Sequence, residues 1–339
     1  MKNIIYTLMI VSPLLFGGCD NDHDDLAEER NSSVKEIMLS SKSSSLAISK
    51  ATTTFPNNGS IGVVGALYNE SGIDWTSYPD LTNVEATATS ENNGVYSFNW
   101  KTPKYWPFDE TQLVFLAYSP HDTVSNSIVL ANNRYFLLIA LADDLPDVMY
   151  ASADTIASTT PYQKDSIVVN LGEFQHILSQ LTVEVVAGDT MPATVVVSNL
   201  YLETPMRTAS LDLLEGEDGL FVVPASTPFQ YLLVKDPTPF KSKAISNTVY
   251  LFPGTEESVD LHLTLVDTSN GNSTTRVLNM SDFINQTTSG EPMTLERAKR
   301  TTLQIKVVGV PVRNPNDAII LKGTLSEWDY RGDFGIGIK

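Results

Sequence analysis

"QLTVEVVAG", Gln180 to Gly188, sets Leu181, Val183 and Val185 on one side of an extended chain and Thr182 and Glu184 on the other, and a glycine closes the run. Apolar residues at every second position belong to a strand with one face buried, and β-branched residues suit that pleated surface. The same reading covers "SIGVVGALY" (Ser60 to Tyr68), "GVYSFNW" (Gly94 to Trp100), "QLVFLAYSP" (Gln112 to Pro120) and "DSIVVNL" (Asp165 to Leu171). It extends to "ATVVVSNLYLE" (Ala193 to Glu203), "SVDLHLTLV" (Ser258 to Val266) and "TTLQIKVVGVPV" (Thr301 to Val312). Asn, Gly, Asp and Pro bound these segments, so the spacing predicts an all-β chain of antiparallel sandwiches. Two patches look helical instead, "EFQHILSQ" (Glu173 to Gln180) and "MSDFINQ" (Met280 to Gln286).

Ahead of this body stands a different kind of sequence. Lys2, an apolar stretch from Ile4 to Phe16 and the pair Gly17-Gly18 follow the charged, apolar, small order of an export signal. The apolar stretch is short for a membrane-spanning helix. Cys19, the single cysteine of the 339 residues, comes directly after it and resembles the acylated cysteine of a bacterial lipoprotein. An acyl chain contributes roughly 0.8 kcal/mol per buried methylene, and more than one chain makes a stable anchor. With that thiol consumed no disulfide is available, and core packing alone must hold the body together. Acidic residues from Asp20 to Glu29 read as a solvated spacer, similar to the acid-rich tag that directs some lipoproteins to the outer face of the outer membrane. Segments 1–18, signal peptide, and 19–50, spacer with a removable strand, are therefore expected before two sandwich domains at 51–162 and 163–339. The loop "DTIASTTPYQKD" (Asp154 to Asp165) marks their junction, placed within about fifteen residues. A formal net charge of −18 opposes binding to nucleic acid or to anionic lipid.

Catalytic signatures are missing where a strong one would be visible. The chain contains no G-x-S-x-G, H-E-x-x-H, C-x-x-C, phosphate-binding or dinucleotide-binding motif. The four histidines, His23, His121, His176 and His262, have no neighbours arranged as nucleophile, base and orienter. Adjacent acids such as Asp143/Asp144 and Glu256/Glu257 do not make a glycosidase pair, which needs carboxylates on opposite sides of a cleft. No catalytic residue, metal site or cofactor is expected. Trp100, Tyr105, Trp106 and Phe108, in "NWKTPKYWPFDE" (Asn99 to Glu110), could form a stacking platform for a glycan or plug the end of a sandwich core; the plug is favoured because large aromatics dominate β cores. "RGD" at Arg331 to Asp333 reads as a turn.

Several segments together resemble the fimbrillin family, the lipoprotein precursors of type V pili, including its Mfa-like branch. They are "ATTTFPNNGSIGVVG" (Ala51 to Gly65), "LVFLAYSP" (Leu113 to Pro120), "DVMYAS" (Asp147 to Ser152), "LGEFQHILSQLTVEV" (Leu171 to Val185) and "IILKGTLSEW" (Ile319 to Trp328). The resemblance implies two tandem transthyretin-like β-sandwich domains and an exported lipoprotein. It also implies a trypsin-like protease that removes an N-terminal strand and a neighbouring subunit that fills the vacated groove with its own C-terminal segment. Partners are then other fimbrillin subunits, the outer membrane through the anchor, and a surface glycan or protein. "LGEFQHILSQL" is a structural motif in that family, so no catalytic role passes to His176. In "DFGIGIK" (Asp333 to Lys339) Phe334, Ile336 and Ile338 share one face, the alternation a donated strand needs; residues 330–339 are the candidate donor, and pairing within their own domain is the other possibility. Fimbrillins commonly carry an arginine before the segment equivalent to Ala51 onward, whereas here Lys50 stands there, with Arg30 as the other cut site. Two weakly apolar strands, Val34 to Leu39 and Ser45 to Ile48, are expected to pair into the first domain until the cut. The competing reading is a surface glycan-binding lipoprotein whose sheets are complete without a partner; a hydrolase on a sandwich scaffold is the third.

Overall fold

The computed structural model describes residues 35–42, 59–92, 95–107, 112–123, 125–143, 145–151, 156–158, 166–286, 290–308 and 319–327. Cys19, Arg30, Lys50, Phe108, Phe334, Ile336 and Ile338 lie outside the described residues, as do the expected strand Ser45 to Ile48 and most of the Asp154 to Asp165 loop. The strands are β1 (Ile37–Lys42), β2 (Ser60–Asn69), β3 (Gly72–Asp74), β4 (Val84–Asn92), β5 (Val95–Trp100), β6 (Gln112–Ser119), β7 (Asn126–Ala131), β8 (Arg134–Ala140), β9 (Met149–Ala151), β10 (Ile156–Ser158) and β11 (Ile167–His176). They continue as β12 (Ser179–Ala187), β13 (Val195–Asp212), β14 (Leu220–Val234), β15 (Thr238–Pro239), β16 (Ile245–Leu251), β17 (Asp260–Asp267), β18 (Asn272–Asn279), β19 (Lys299–Val307) and β20 (Ile319–Glu327). Among the described residues the only helical pieces are 3-10 turns of three or four residues. The protein is all-β, with its sheets in a sandwich-like arrangement.

The first sheet closes on itself. Going round it, β6 pairs β9, β9 pairs β11, β11 pairs β1, β1 pairs β5, β5 pairs β4, β4 pairs β2, and β2 returns to β6. Only the β1–β11 pair in this ring is parallel. The ring encloses a core that includes Ile37, Leu39, Ile61, Val63, Phe98, Phe115, Val169 and Phe174. A second core lies between the sheet β16-β12-β19-β20 and the sheet β18-β17-β13-β8-β7, with Leu181, Val183 and Val185 facing inward from β12 and Leu261, Leu263 and Leu265 from β17.

The continuous apolar runs in β2 and β6 now have a reason. These two strands are a wall shared by both cores: Ile61 and Val63 face the ring, Val64 and Ala66 the second core; across from them Leu113, Phe115 and Ala117 face the ring, and Val114, Leu116 and Tyr118 the second core. A strand buried on both sides reads as an uninterrupted apolar run, while strands with one wet face, such as β17 and β19, keep the alternation.

The two helix-like patches fold otherwise. In "EFQHILSQ" Phe174 packs in the ring, whereas Ile177 and Leu178 pack in the second core, because the chain passes from one core to the other at His176–Ile177. Spacing of three to four residues between apolar side chains arose from that crossing, and the segment is the end of β11 and the start of β12. "MSDFINQ" holds one 3-10 turn, Met280–Asp282, capped by the Asn279 side chain and followed by the buried Phe283.

The shared wall is tight at one point. Gly62 sits opposite Tyr118, and a Cβ placed on it would come within 2.3 Å of the Tyr118 ring. That ring is buried and its hydroxyl donates to Asp122 Oδ1 at 2.6 Å, so it has no room to withdraw. Gly62→Ala is expected to lower unfolding stability by about 1–3 kcal/mol, the usual range for an overpacked core. Urea denaturation checks this, and a midpoint equal to that of the parent would contradict it.

Candidate functional site

β1 pairs with two strands far from it in sequence, β5 and β11, and both its edges are occupied. Along β11 its partners are Ile37–Ile167, Met38–Val168, Leu39–Val169 and Ser40–Asn170; along β5 they are Leu39–Phe98, Ser40–Ser97, Ser41–Tyr96 and Lys42–Val95. Burial alternates along it: Lys35, Ile37, Leu39 and Ser41 face inward, and Glu36 and Met38 face solvent. Ile37 and Leu39 are 0% and 2% exposed and belong to the ring core, while Met38 is 46% exposed. Ser41 Oγ donates to the Gly172 carbonyl at 2.7 Å, which satisfies the one hydroxyl pointing inward at the far end. The expected prelude strand Val34 to Leu39 thus appears shifted toward the C-terminus, as Ile37–Lys42.

Without β1 the ring would carry two unpaired edges, on β5 and β11, over an apolar channel. Unpaired edges over uncovered core accept added strands readily. Burying Ile37 and Leu39 contributes roughly 1.5–3 kcal/mol each before the cost of ordering the strand.

The four aromatic candidates are dispersed. Trp106 is buried in the ring core with its ring centroid 6.4 Å from that of Phe115. Trp100 is half-buried, and its indole N–H donates to the Ile37 carbonyl of β1 at 2.6 Å. Tyr105 is 43% exposed and bridges Glu36. These three therefore do not form a flat stacking surface: one ring is in the core, one is engaged with β1 and one is at the surface. Sequence reading missed the attachment of Trp100 to the prelude strand, because the two are far apart in the chain and only the fold joins them.

The remaining polar candidates are structural in their surroundings. His176 Nδ1 lies 2.7 Å from Asp147 Oδ2, with both side chains buried at the corner where the chain changes cores. His262 stacks on Tyr201 across β13 and β17, centroids 4.4 Å apart. His121 Nε2 is 3.7 Å from Asp122 Oδ2 beside the Tyr118 turn. Glu256 and Glu257 sit in a 3-10 turn, and Asp144 lies outside the described residues. Among the described residues no group of three or more His, Cys, Asp or Glu side chains is placed to hold a metal ion. Near the end of the β1–β11 pairing, burial raises the Glu173 carboxyl above its ordinary 4.5.

Two expectations follow from this slot. Ile37→Ala should cost about 2–5 kcal/mol, as a fully buried truncation does, and Met38→Ala less than about 0.5 kcal/mol; equal losses in urea denaturation would contradict the alternation. Glu173, with its folded pKa raised, adds stability that is fully present below its unfolded value near 4.5 and lost as pH rises through the folded value. Glu173→Gln should therefore lose less stability than the parent between pH 4 and pH 7, measured as the difference in urea midpoints; parallel pH curves would contradict this.

With the geometry in place, comparison with known proteins gives a consistent result. A family model described as fimbrillin-like matches residues 49–328. No curated protein is significantly similar to the chain. Among solved structures, a candidate cell adhesion protein of Bacteroides uniformis matches with a TM-score of 0.56 and 14% identity, covering 88% of this chain and 100% of its own. A fimbrial protein from Bacteroides vulgatus matches with a TM-score of 0.55 and 14% identity, covering 87% of this chain and 99% of its own. A candidate cell adhesion protein of Bacteroides ovatus follows with a TM-score of 0.52 and 14% identity, covering 88% and 99%. At these identities the likeness shows a shared fold. The family match spans most of the chain and begins directly before the body that the strand pattern delimits, and the chain belongs to the fimbrillin-like family.

Proposed function

We propose that the chain is a structural or adhesive subunit of a cell-surface pilus, assembled by exchange of the strand in the β1 slot. The observation that carries this reading is the position of β1: it completes the ring through two strands, yet it is joined in sequence only through residues 43–58 to the body that starts at β2. A cut in that connection, with Lys50 as the candidate, would leave β1 held by hydrogen bonds and two buried apolar side chains, whereas a cut at Arg30, the other candidate, would leave the strand joined to the body. Departure of β1 would open a channel that accepts an extended segment of a neighbouring subunit. Phe334, Ile336 and Ile338 repeat at the spacing of Ile37, Leu39 and Ser41, which supports residues 330–339 as the donated strand.

In this reading the precursor is an exported lipoprotein acylated at Cys19 and held at the cell outer membrane until the cut, and its partners are further subunits of the same family. Two domains, 51–162 and 163–339, remain part of this proposal; in the described residues the chain crosses from the ring to the second core at His176–Ile177. No cofactor and no catalytic step is required. The glycan-binding alternative has one exposed ring, Tyr105, among the described members of its aromatic cluster, too little for a stacking surface.

Limited trypsin treatment of the folded, leader-free protein tests the proposal. The expected result is loss of the segment up to Lys50 followed by a size series of oligomers on gel filtration. That series should vanish when Phe334, Ile336 and Ile338 are changed to Asp. A trimmed body that stays monomeric would overturn the reading.

A further inference from the structure

We propose that Trp100 and the segment Lys104 to Trp106 are a latch that grips the main chain of whichever strand occupies the β1 slot. This rests on the strand-exchange reading for the incoming strand, but not for the resident one. On the β5 side the ladder is interrupted. Regular pairing runs from Lys42–Val95 to Leu39–Phe98 and, continued, would set Ile37 opposite Trp100. Instead the regular ladder stops at Leu39–Phe98, and pairing resumes where Glu36 bridges Tyr105. There the Ile37 N–H donates to the Lys104 carbonyl at 2.8 Å, and the Trp106 N–H donates to the Lys35 carbonyl at 2.8 Å. The Ile37 carbonyl falls in the gap between the two stretches of ladder, and the Trp100 indole N–H reaches it at 2.6 Å. A side chain thus takes the place of the missing backbone donor, and without it a half-buried carbonyl would lose its partner.

The returning segment is itself fixed to the ring wall. Tyr78 Oη donates to the Tyr105 carbonyl at 2.5 Å, and the Trp106 ring is buried against Phe115. The latch is therefore anchored to residues that stay with the body when β1 leaves. Its bonds touch only N–H and C=O groups, so it distinguishes strands by backbone and not by side chain. A replacement strand of unrelated sequence satisfies it, provided that the residue at the Ile37 position has an N–H; proline there is excluded.

A merely structural Trp100 and a latch differ in what its loss loosens. Hydrogen exchange on the intact full chain separates them, because local opening of one strand leaves other amides protected whereas a loss of global stability speeds the most protected amides everywhere. In Trp100→Phe the latch predicts exchange at Ile37 and Leu39 faster by about tenfold, the scale of one hydrogen bond, with the amides of Val64 and Leu116 in the shared wall unchanged. Equal acceleration in the slot and the wall, or none in either, would overturn it. Should Trp100→Phe fail to fold, Tyr78→Phe, which removes the brace on Tyr105, must show the same selective loosening of Ile37, and its absence overturns the latch. After trypsin treatment, oligomers of Trp100→Phe should dissociate about tenfold faster than those of the parent. Failure of the parent to form oligomers would sink the assembly reading alone, since the intact-chain exchange is measured without assembly.

Discussion

The rest of the ring depends on a strand that its two neighbours cannot replace. β5 and β11 both present backbone donors and acceptors toward β1, and among the described residues neither pairs with another strand on that side. β1 satisfies one row in antiparallel and the other in parallel pairing while sending Ile37 and Leu39 into the core between Phe98 and Val169. Hydrogen bonding and apolar burial are usually spread through a sheet, but here a short segment supplies both across a single gap. That concentration makes the segment costly to remove and, under the strand-exchange proposal, is what an incoming strand of the same alternation would have to restore.

The shared wall explains why such an opening need not dissolve the molecule. β2 and β6 are buried on both sides, so half of their side chains remain packed against the second core whatever happens in the ring. That core brings together the sheet of β12 and β19 and the sheet of β13 and β17, none of which pairs with β1. A body that keeps this second sandwich intact has a rigid support on which an open groove can wait. The β7–β8 hairpin, from the first half of the chain, also packs on the second core, so the wall is held from both directions.

Much of the architecture is legible in the sequence because alternation is a local property. "QLTVEVVAG", "SVDLHLTLV" and "TTLQIKVVGVPV" each show their buried face directly, and they form β12, β17 and β19. One failure comes where a single segment serves two cores. "EFQHILSQ" has helical spacing because Phe174 belongs to one core and Ile177 and Leu178 to the other, and no local pattern distinguishes that from a helix face. For the candidate site, the apolar Ile37 and Leu39 mark a strand in the prelude, but nothing in the residues themselves shows which edges receive it. The role of Trp100 is hidden for the same reason: its indole meets a carbonyl far away in the chain, and an aromatic near prolines and lysines looks from sequence alone like a surface platform or a core plug.

The central claim is that β1 is a separable strand filling a slot that remains competent without it. Titration of the trimmed body with a synthetic peptide of residues 35–42 measures this most directly. Saturable one-to-one binding, with hydrogen exchange of β5 and β11 amides slowed on addition of peptide, is the predicted result. A trimmed body that binds no peptide, and whose β5 and β11 amides are already as protected as in the intact chain, would contradict it.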